Sequence, residues 1–329
     1  MDNITHSFTG ALAAKLIQTG KPENAEPPNA QRVLFWLMVV CANLPDIDVI
    51  LNFTRDQFYS IHHHRGLTHS LLFAPVLSFL PAIIAYLFSS YKNLKTLWIT
   101  ALVGVYVHIF FDLVTSFGTQ LFAPLSPTRY SLDWMFIVDP LFTLTMGILL
   151  FLGKRSAKNK TAFAVAGGIF VASYLALEIA SHTIAYRTVN RLAHEYHLTP
   201  EKVSALPQPL NIFRWMGLVQ TPQGVEQTFF SAFDAAPPTA WTSYPHSQDA
   251  FVRKALQTHE AQLFFGFARH HWIQSIPQEN GRIVEMRDQQ FSFNPGLVRA
   301  LGVAESRTPF VLRFYYSRSG ALDSVRFNR

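Results

Sequence analysis

The sequence is short of thiol, of charge and of a basic leader, and each shortage removes a class of protein. Cys41 is its one cysteine, so the chain cannot close an internal disulfide or assemble a cysteine-rich zinc site. Charged residues make up 15% of the 329 positions, where a soluble domain usually carries about 25%. Most of them fall from Arg187 onward. The opening "MDNITHSFTG" has no lysine or arginine, carries Asp2 and lacks a small-residue cleavage motif, so it is expected to remain in the mature chain. The net charge is +6, yet neither a basic recognition helix nor a stacking sheet is present, which argues against nucleic acid. Basic residues beside apolar runs more often reflect membrane orientation and anionic headgroups.

What is abundant is apolar. Hydrophobic residues reach 49%, and the length suits about two domains. A span needs roughly 20 mostly apolar residues. The runs 71–88, 97–117, 136–152 and 162–186 qualify; 32–53 begins well and breaks at Asn43-Leu44-Pro45, and Ile4 to Ile17 is short. The expected fold is an all-α polytopic membrane domain of about five to six helices over residues 1–186, followed at 187–329 by a small soluble α+β domain with an antiparallel sheet. In that second part "NRLAHEYHL" reads as a short helix. "FRWMGLVQ" and "VEQTFFSAF" read as a hairpin about "TPQG", and "AQLFFGFA", "RIVEMRD", "FVLRFYYS" and "ALDSVRF" as further strands. Lys92 and Lys95 in one short loop, with Lys154, Arg155, Lys158 and Lys160 in another, place those loops in the cytoplasm. Residues 52–70, 118–135 and the C-terminal domain then face the opposite side of a multi-pass membrane protein.

The polar residues of the membrane half gather on that opposite side. His6 opens the first segment, and "NLPDID" ends the second with Asp46 and Asp48. "HHHRGLTHS" supplies His62, His63, His64, Arg65 and His69; His108 and Asp112 lie in the fourth run, with Asp133 and Asp139 before the fifth. His108 and Asp112, four apart, project from one helix face. An aspartate inside a span costs roughly 2.5–3.5 kcal/mol to insert, which marks the pair as functional; the plain alternative is a structural His–Asp hydrogen bond between helices. His62 and His63 read as solvated loop residues, Asp46 equally as a helix cap, and His6 equally as a surface residue. In the distal domain, His270 and His271 read as ordinary surface. Imidazoles and carboxylates without thiolate suit a divalent metal, zinc first, with manganese or iron as alternatives. The metal residues are His69, His108, Asp112 and Asp46 first, with His64 and His6 completing the shell or holding a second ion. Asp48 is assigned as a support for a ligand or as the general base, and Arg65 as the partner of an anionic substrate, contributing little to metal binding. The plain alternative for Arg65 is a side chain snorkelling to lipid headgroups.

Together "THSFTG", "NLPDID", "HRGLTHS", "HIFFDLVTSFGTQLFAPLS" and "RYSLDWMFIVDP" resemble the bacterial membrane-bound metal-dependent hydrolase family, the YdjM-like inner-membrane proteins. The resemblance covers about residues 1–185 and implies a helical membrane domain, a divalent metal and hydrolase activity. His6, Asp46, Asp48, His64, Arg65, His69, His108 and Asp112 match its motifs, Asp133 less closely. A more distant similarity is to zinc-dependent phospholipase C, although the further ligands of its three-zinc site have no counterpart here. The expected function is hydrolysis of an ester or phosphoester, on a membrane lipid or lipid-linked substrate, by a metal-activated water. The alternative is a non-enzymatic, metal-stabilised membrane scaffold whose soluble domain binds a protein partner. A transporter fits less well, because the polar groups collect at one interface and not at the midplane.

Overall fold

The computed structural model describes residues 1–20, 26–53, 63–156, 158–234, 241–296 and 309–328. Two compact units divide the chain, one from residues 1–53 and 63–179, the other principally from residues 180–329. His62 lies outside the described residues.

The first unit is helical: α1 (Asn3–Thr19), α2 (Pro28–Cys41), α3 (Ala74–Phe88), α4 (Leu94–Leu113), α5 (Pro140–Arg155) and the early part of α6 (Lys160–Glu195). Short polar side chains start these helices by accepting otherwise orphaned backbone N–H groups. Asp2 accepts from Ile4 and Thr5, Asn93 from Thr96, and Asp139 from Phe142. Between α2, α3 and α4 a core of Leu34, Leu37, Cys41, Leu97, Val105 and Ile109 is buried. Gly10 in α1 and Gly104 in α4 let both helices approach the end of α2. A Cβ on Gly10 would lie 2.6 Å from Ala42 Cβ, and one on Gly104 2.8 Å from Cys41 Cβ and 2.9 Å from the Met38 carbonyl oxygen.

Two described helices are long and apolar enough to cross a bilayer, Leu94–Leu113 and Lys160–Glu195. The expectation of five to six such helices is corrected by where the apolar runs stop being helical. Run 32–53 leaves the α-helix after Cys41 and continues from Leu44 as a 3-10 segment through Pro45; run 71–88 opens in a turn and becomes helical at Ala74; run 136–152 starts only at Pro140. Helices α1, α2, α3 and α5 therefore have 17, 14, 15 and 16 residues. At 1.5 Å per residue these span about 21–26 Å, short of a hydrocarbon core of about 30 Å. Their outward faces are nevertheless apolar: Leu80, Leu87 and Phe88 in α3 and Leu141, Leu144 and Ile148 in α5 are exposed.

In the second unit the end of α6 packs on a sheet through Ala185, Val189 and Ala193 against Trp215 and Val219. No breaker separates Tyr186 from Asn190, so the expected short helix "NRLAHEYHL" is a continuation of α6, not a separate element. One antiparallel sheet has the order β1 (Lys202–Pro207), β2 (Arg214–Thr221), β3 (Gly224–Ser231), β4 (Thr242–Pro245). The other runs β5 (His271–Gln278), β6 (Gly281–Asp288), β7 (Val311–Ser317), β8 (Leu322–Asn328), again antiparallel. Helices α7 (Ala250–Leu256) and α8 (His259–Phe267) stand between them in sequence. "AQLFFGFA", expected as a strand, belongs to α8. Thr258 caps that helix by accepting from the Ala261 N–H, and Ala261, Phe264 and Phe267 bury one helical face. His270, expected at the surface, is fully buried: its Nε2 lies 2.8 Å from Ser204 Oγ and its backbone N–H donates to Asp288.

Candidate functional site

Three segments of the first unit deliver four ligand atoms to one point. The 3-10 segment after α2 brings Asp46, the short 3-10 turn Leu67–His69 brings His69, and α4 brings His108 and Asp112. One ligand atom from each lies within 4.8 Å of all the others. His69 Nε2 is 3.1 Å from Asp112 Oδ2 and 3.5 Å from Asp46 Oδ1. His108 Nε2 is 3.4 Å from Asp112 Oδ2, 3.5 Å from Asp46 Oδ1 and 3.1 Å from His69 Nε2. His69, His108 and Asp112 are fully buried, and Asp46 keeps 11% side-chain exposure.

The outer hydrogen bonds decide which face of each ring looks inward. His108 Nδ1 lies 2.8 Å from the Ala42 carbonyl, which only accepts, so Nδ1 carries a proton and the ring turns its Nε2 to the cluster. The Thr68 hydroxyl donates to Asp48 Oδ2 at 3.3 Å and lies 3.0 Å from His69 Nδ1. That arrangement has His69 Nδ1–H donating to Thr68, and His69 Nε2 also faces inward. Two ring nitrogens and two carboxylate oxygens thus converge, and Asp112 Oδ2 finds no hydrogen-bond donor among the described residues. A cation satisfies all four. A tetrahedral ion with ligand distances of about 2.0–2.2 Å requires edges of about 3.3–3.6 Å, close to the five separations given above. The donor set fits a divalent metal.

His6 and His64, expected as ligands, stand outside this four-atom group. His6 Nε2 lies 3.2 Å from the other oxygen of Asp112, Oδ1, and its ring stacks on His108 at 3.7 Å. His64 Nδ1 donates to Asp48 Oδ1 at 3.0 Å. Burial pushes the His64 imidazole below its ordinary pKa, although the Asp48 carboxylate pulls the other way. Asp48 also accepts the Arg65 backbone N–H at 2.9 Å, so both its oxygens are taken. Asp133 is buried at a positive φ of 57°, and Asp139 caps α5 and accepts from Tyr174; neither supplies an atom to the four. His63 is exposed.

Arg65 is 4% exposed, which rules out a headgroup-directed side chain. Its Nη2 lies 2.9 Å from Asp112 Oδ1, and its Nη1 donates to Thr115 Oγ1 at 2.9 Å and to the Asp112 carbonyl at 3.3 Å. The guanidinium also lies over the Phe117 ring at 4.9 Å. The anion it meets in the structure is Asp112, where the sequence reading gives it a substrate. The Met1 amino group ion-pairs with the same Asp112 oxygen. Arg65 holds a left-handed φ of 55°, a conformation costing roughly 1–3 kcal/mol, fixed by its N–H on Asp48 and its carbonyl on the Gln120 N–H.

Three contributors were missed from the sequence. Thr68 relays between His69 and Asp48, and Thr115 links Arg65 to the Asp112 carbonyl, to which it donates at 2.8 Å. Arg129, from the loop after α4, donates to the carbonyls of His64 at 3.0 Å and Gly118 at 3.2 Å. Burial, then the neighbouring Arg65, brings the Arg129 guanidinium down to about 10. Thr68 sits inside "HRGLTHS" and Thr115 three residues after Asp112, so both lay within motifs already singled out; nothing local to Arg129 marks it.

Comparison with known proteins finds relatives for this part of the chain. Residues 1–185 match the model of a family described as YdjM inner membrane protein. The uncharacterized protein YfhP of Bacillus subtilis (strain 168) is 33% identical over 143 residues, covering 43% of this chain and 42% of that protein. The chain thus matches less than half the length of that relative. No solved structure matches the chain significantly.

Proposed function

The chain belongs to the YdjM inner membrane protein family, and from that premise we propose that it is a membrane-bound metal-dependent hydrolase of an ester or phosphoester carried by a lipid or lipid-linked substrate. The observation that carries the proposal is the convergence of two histidine Nε2 atoms and two carboxylate oxygens, with no hydrogen-bond donor for Asp112 Oδ2 among the described residues. Asp46, His69, His108 and Asp112 hold the ion, with zinc first and manganese or iron as alternatives. Such an ion, when bound, polarises the scissile bond and acidifies a water. Asp48 fixes His69 through Thr68 and orients His64, whose Nε2 is left as the base that takes the proton. Asp46, the one member of the group that is not fully buried, marks the side from which water and substrate enter.

Lysines and arginines at 89–96 and 153–161 support a cytoplasmic placement of those loops, with the metal group and the C-terminal domain on the other face. The exposed apolar faces of α3 and α5 support immersion of these shorter helices as well. A reporter fused after Arg329 tests the orientation: an active cytoplasmic-type reporter would invert it.

One observation favours the scaffold reading. Four protein donors are enough to fill a four-coordinate ion, as in structural metal sites, whereas catalytic sites keep a position for water. Metal analysis of the detergent-purified protein comes first, with His108→Ala and Asp112→Ala each expected to strip most of the ion. Manganese loading with water-proton relaxation then separates the readings. The hydrolase requires an exchangeable water on the ion; a shell closed to water would leave the scaffold.

A further inference from the structure

The helical unit has a second concave site at the other end of the helices that build the metal group. A cavity of about 400 Å³ opens between α1, α2, α4 and α6. It is lined by Lys15 in α1, Gln31, Leu34 and Met38 in α2, Thr100 in α4 and Lys160 in α6. Lys15 lies nine residues after His6 and Thr100 eight before His108, so the cavity is about 12–14 Å along the helix axes from the metal group.

Its wall is divided by polarity. Leu34 and Met38 are buried, with Ala14 and Ala164 beside them, and form an apolar floor. Lys15 and Lys160 are exposed at the polar part, and the Lys15 ammonium also lies 5.0 Å from the Phe35 ring centroid. Among the described residues Glu26 is the one carboxylate of the lining, and it accepts the Tyr91 hydroxyl at 2.9 Å. Two cations therefore share a cavity with one carboxylate, an excess of positive charge that an anion relieves. Thr161 adds a hydroxyl in the first turn of α6, a helix end that itself favours negative charge. An anionic head above an apolar floor is the chemistry of an amphiphile.

We propose that this cavity binds an anionic phospholipid, its phosphate between Lys15 and Lys160 and the start of its chains on Leu34 and Met38. Free phosphate shares the charge but makes no use of the floor, which is why the lipid is the assigned occupant. The site is independent of the metal group and of the reaction proposed there.

The test uses delipidated full-length protein in detergent, titrated with phosphatidylglycerol, phosphatidylcholine or inorganic phosphate and read by native mass spectrometry and thermal unfolding. Phosphatidylglycerol is expected to bind and stabilise, phosphatidylcholine much less. A basic side chain near an anionic lipid is worth roughly fivefold in affinity, so Lys15→Gln with Lys160→Gln should weaken phosphatidylglycerol binding roughly 30-fold. The paired arginine variants, Lys15→Arg with Lys160→Arg, should retain it. Metal content should be unchanged in both, and His69→Ala, which empties the metal group, should still bind the lipid. Equal binding of the two lipids, or full binding by the double glutamine variant, overturns the proposal. Saturation by inorganic phosphate with the same stabilisation overturns the lipid in favour of a small anion.

Discussion

Arg65 holds Asp112 by one oxygen and leaves the other for the metal group. Its Nη2 is 2.9 Å from Oδ1, while Oδ2 stands 3.1 Å from His69 Nε2 and 3.4 Å from His108 Nε2. A carboxylate free to rotate would offer either oxygen; this one is locked from outside. The same logic applies to His69, steered by Thr68 and Asp48, and to His108, steered by the Ala42 carbonyl. Each inner atom is aimed by a hydrogen bond on its far side.

That arrangement predicts a role for Arg65 in metal binding that its charge alone would deny. Lysine carries the same charge but one ammonium, which cannot hold Asp112 Oδ1 and Thr115 Oγ1 together in the planar geometry of a guanidinium. Arg65→Lys is expected to fold and to bind metal about 10–100-fold more weakly, the usual effect of removing such a support. Competition with a chromophoric chelator measures it. An affinity equal to that of the unaltered protein would mean that Asp112 orients itself.

A second prediction concerns a residue that touches no ligand atom. Gly104 lies one turn before His108, where α4 meets the end of α2 most closely. The Cβ of an alanine there would meet the Met38 carbonyl at 2.9 Å, a backbone atom that cannot swing away. Gly104→Ala should push α4 from α2, cost about 1–3 kcal/mol of overpacking, and lengthen the His108–Ala42 hydrogen bond. Both a lower melting temperature and a lower metal content are expected. The control is Gly20→Ala, whose Cβ would meet nothing closer than 3.8 Å among the described residues and should change neither. Unchanged metal content in Gly104→Ala would separate the glycine contact from the site.

How much of this the sequence disclosed depends on the range of the interaction. His108 and Asp112 were legible because a four-residue spacing fixes their common face within one helix. Asp46 and His69 were legible as chemistry, since acids and imidazoles beside apolar runs are costly and so carry meaning. The four first ligands were legible as a set; the contacts that aim them were not. Whether His64 or His69 points inward depends on the turn at Arg65 and on Thr68, contacts that no spacing encodes. Arg65 read as a substrate residue because its anion, Asp112, lies 47 positions away. The helix lengths were overestimated for a related reason. Hydropathy sees Leu44, Ile47 and Val49 as a continuation of the α2 run, while the backbone has already left the α-helix ahead of Pro45. In the second unit, "AQLFFGFA" has the aromatic content of a strand. Thr258 decides the matter by capping a helix just upstream.

The last prediction concerns pH and the C-terminal unit, away from any ligand. His270 is fully buried, its Nε2 against Ser204 Oγ at 2.8 Å, with no hydrogen-bond partner for Nδ1 among the described residues. Burial, and then the charges of Arg269, Lys202 and His271, hold its imidazole well below the ordinary value of 6.5. The folded unit therefore keeps this ring neutral where the unfolded chain protonates it. The sign follows directly: stability is fully present above pH 6.5 and is lost as pH falls below that value, by up to about 1.4 kcal/mol per pH unit for one proton. His271, brought down to about 4 mainly by burial and by His246, acts in the same direction. Asp288, which accepts the His270 backbone N–H, is raised by burial; its effect is the reverse, stability lost as pH rises through its folded value. Hydrogen exchange at β1, which carries Ser204, reads the unit locally in the full-length protein. Protection there should decline between pH 6.5 and 5, after correction for the intrinsic rate, and His270→Gln should flatten that decline. A slope of equal size in the variant would assign the acid sensitivity to other groups.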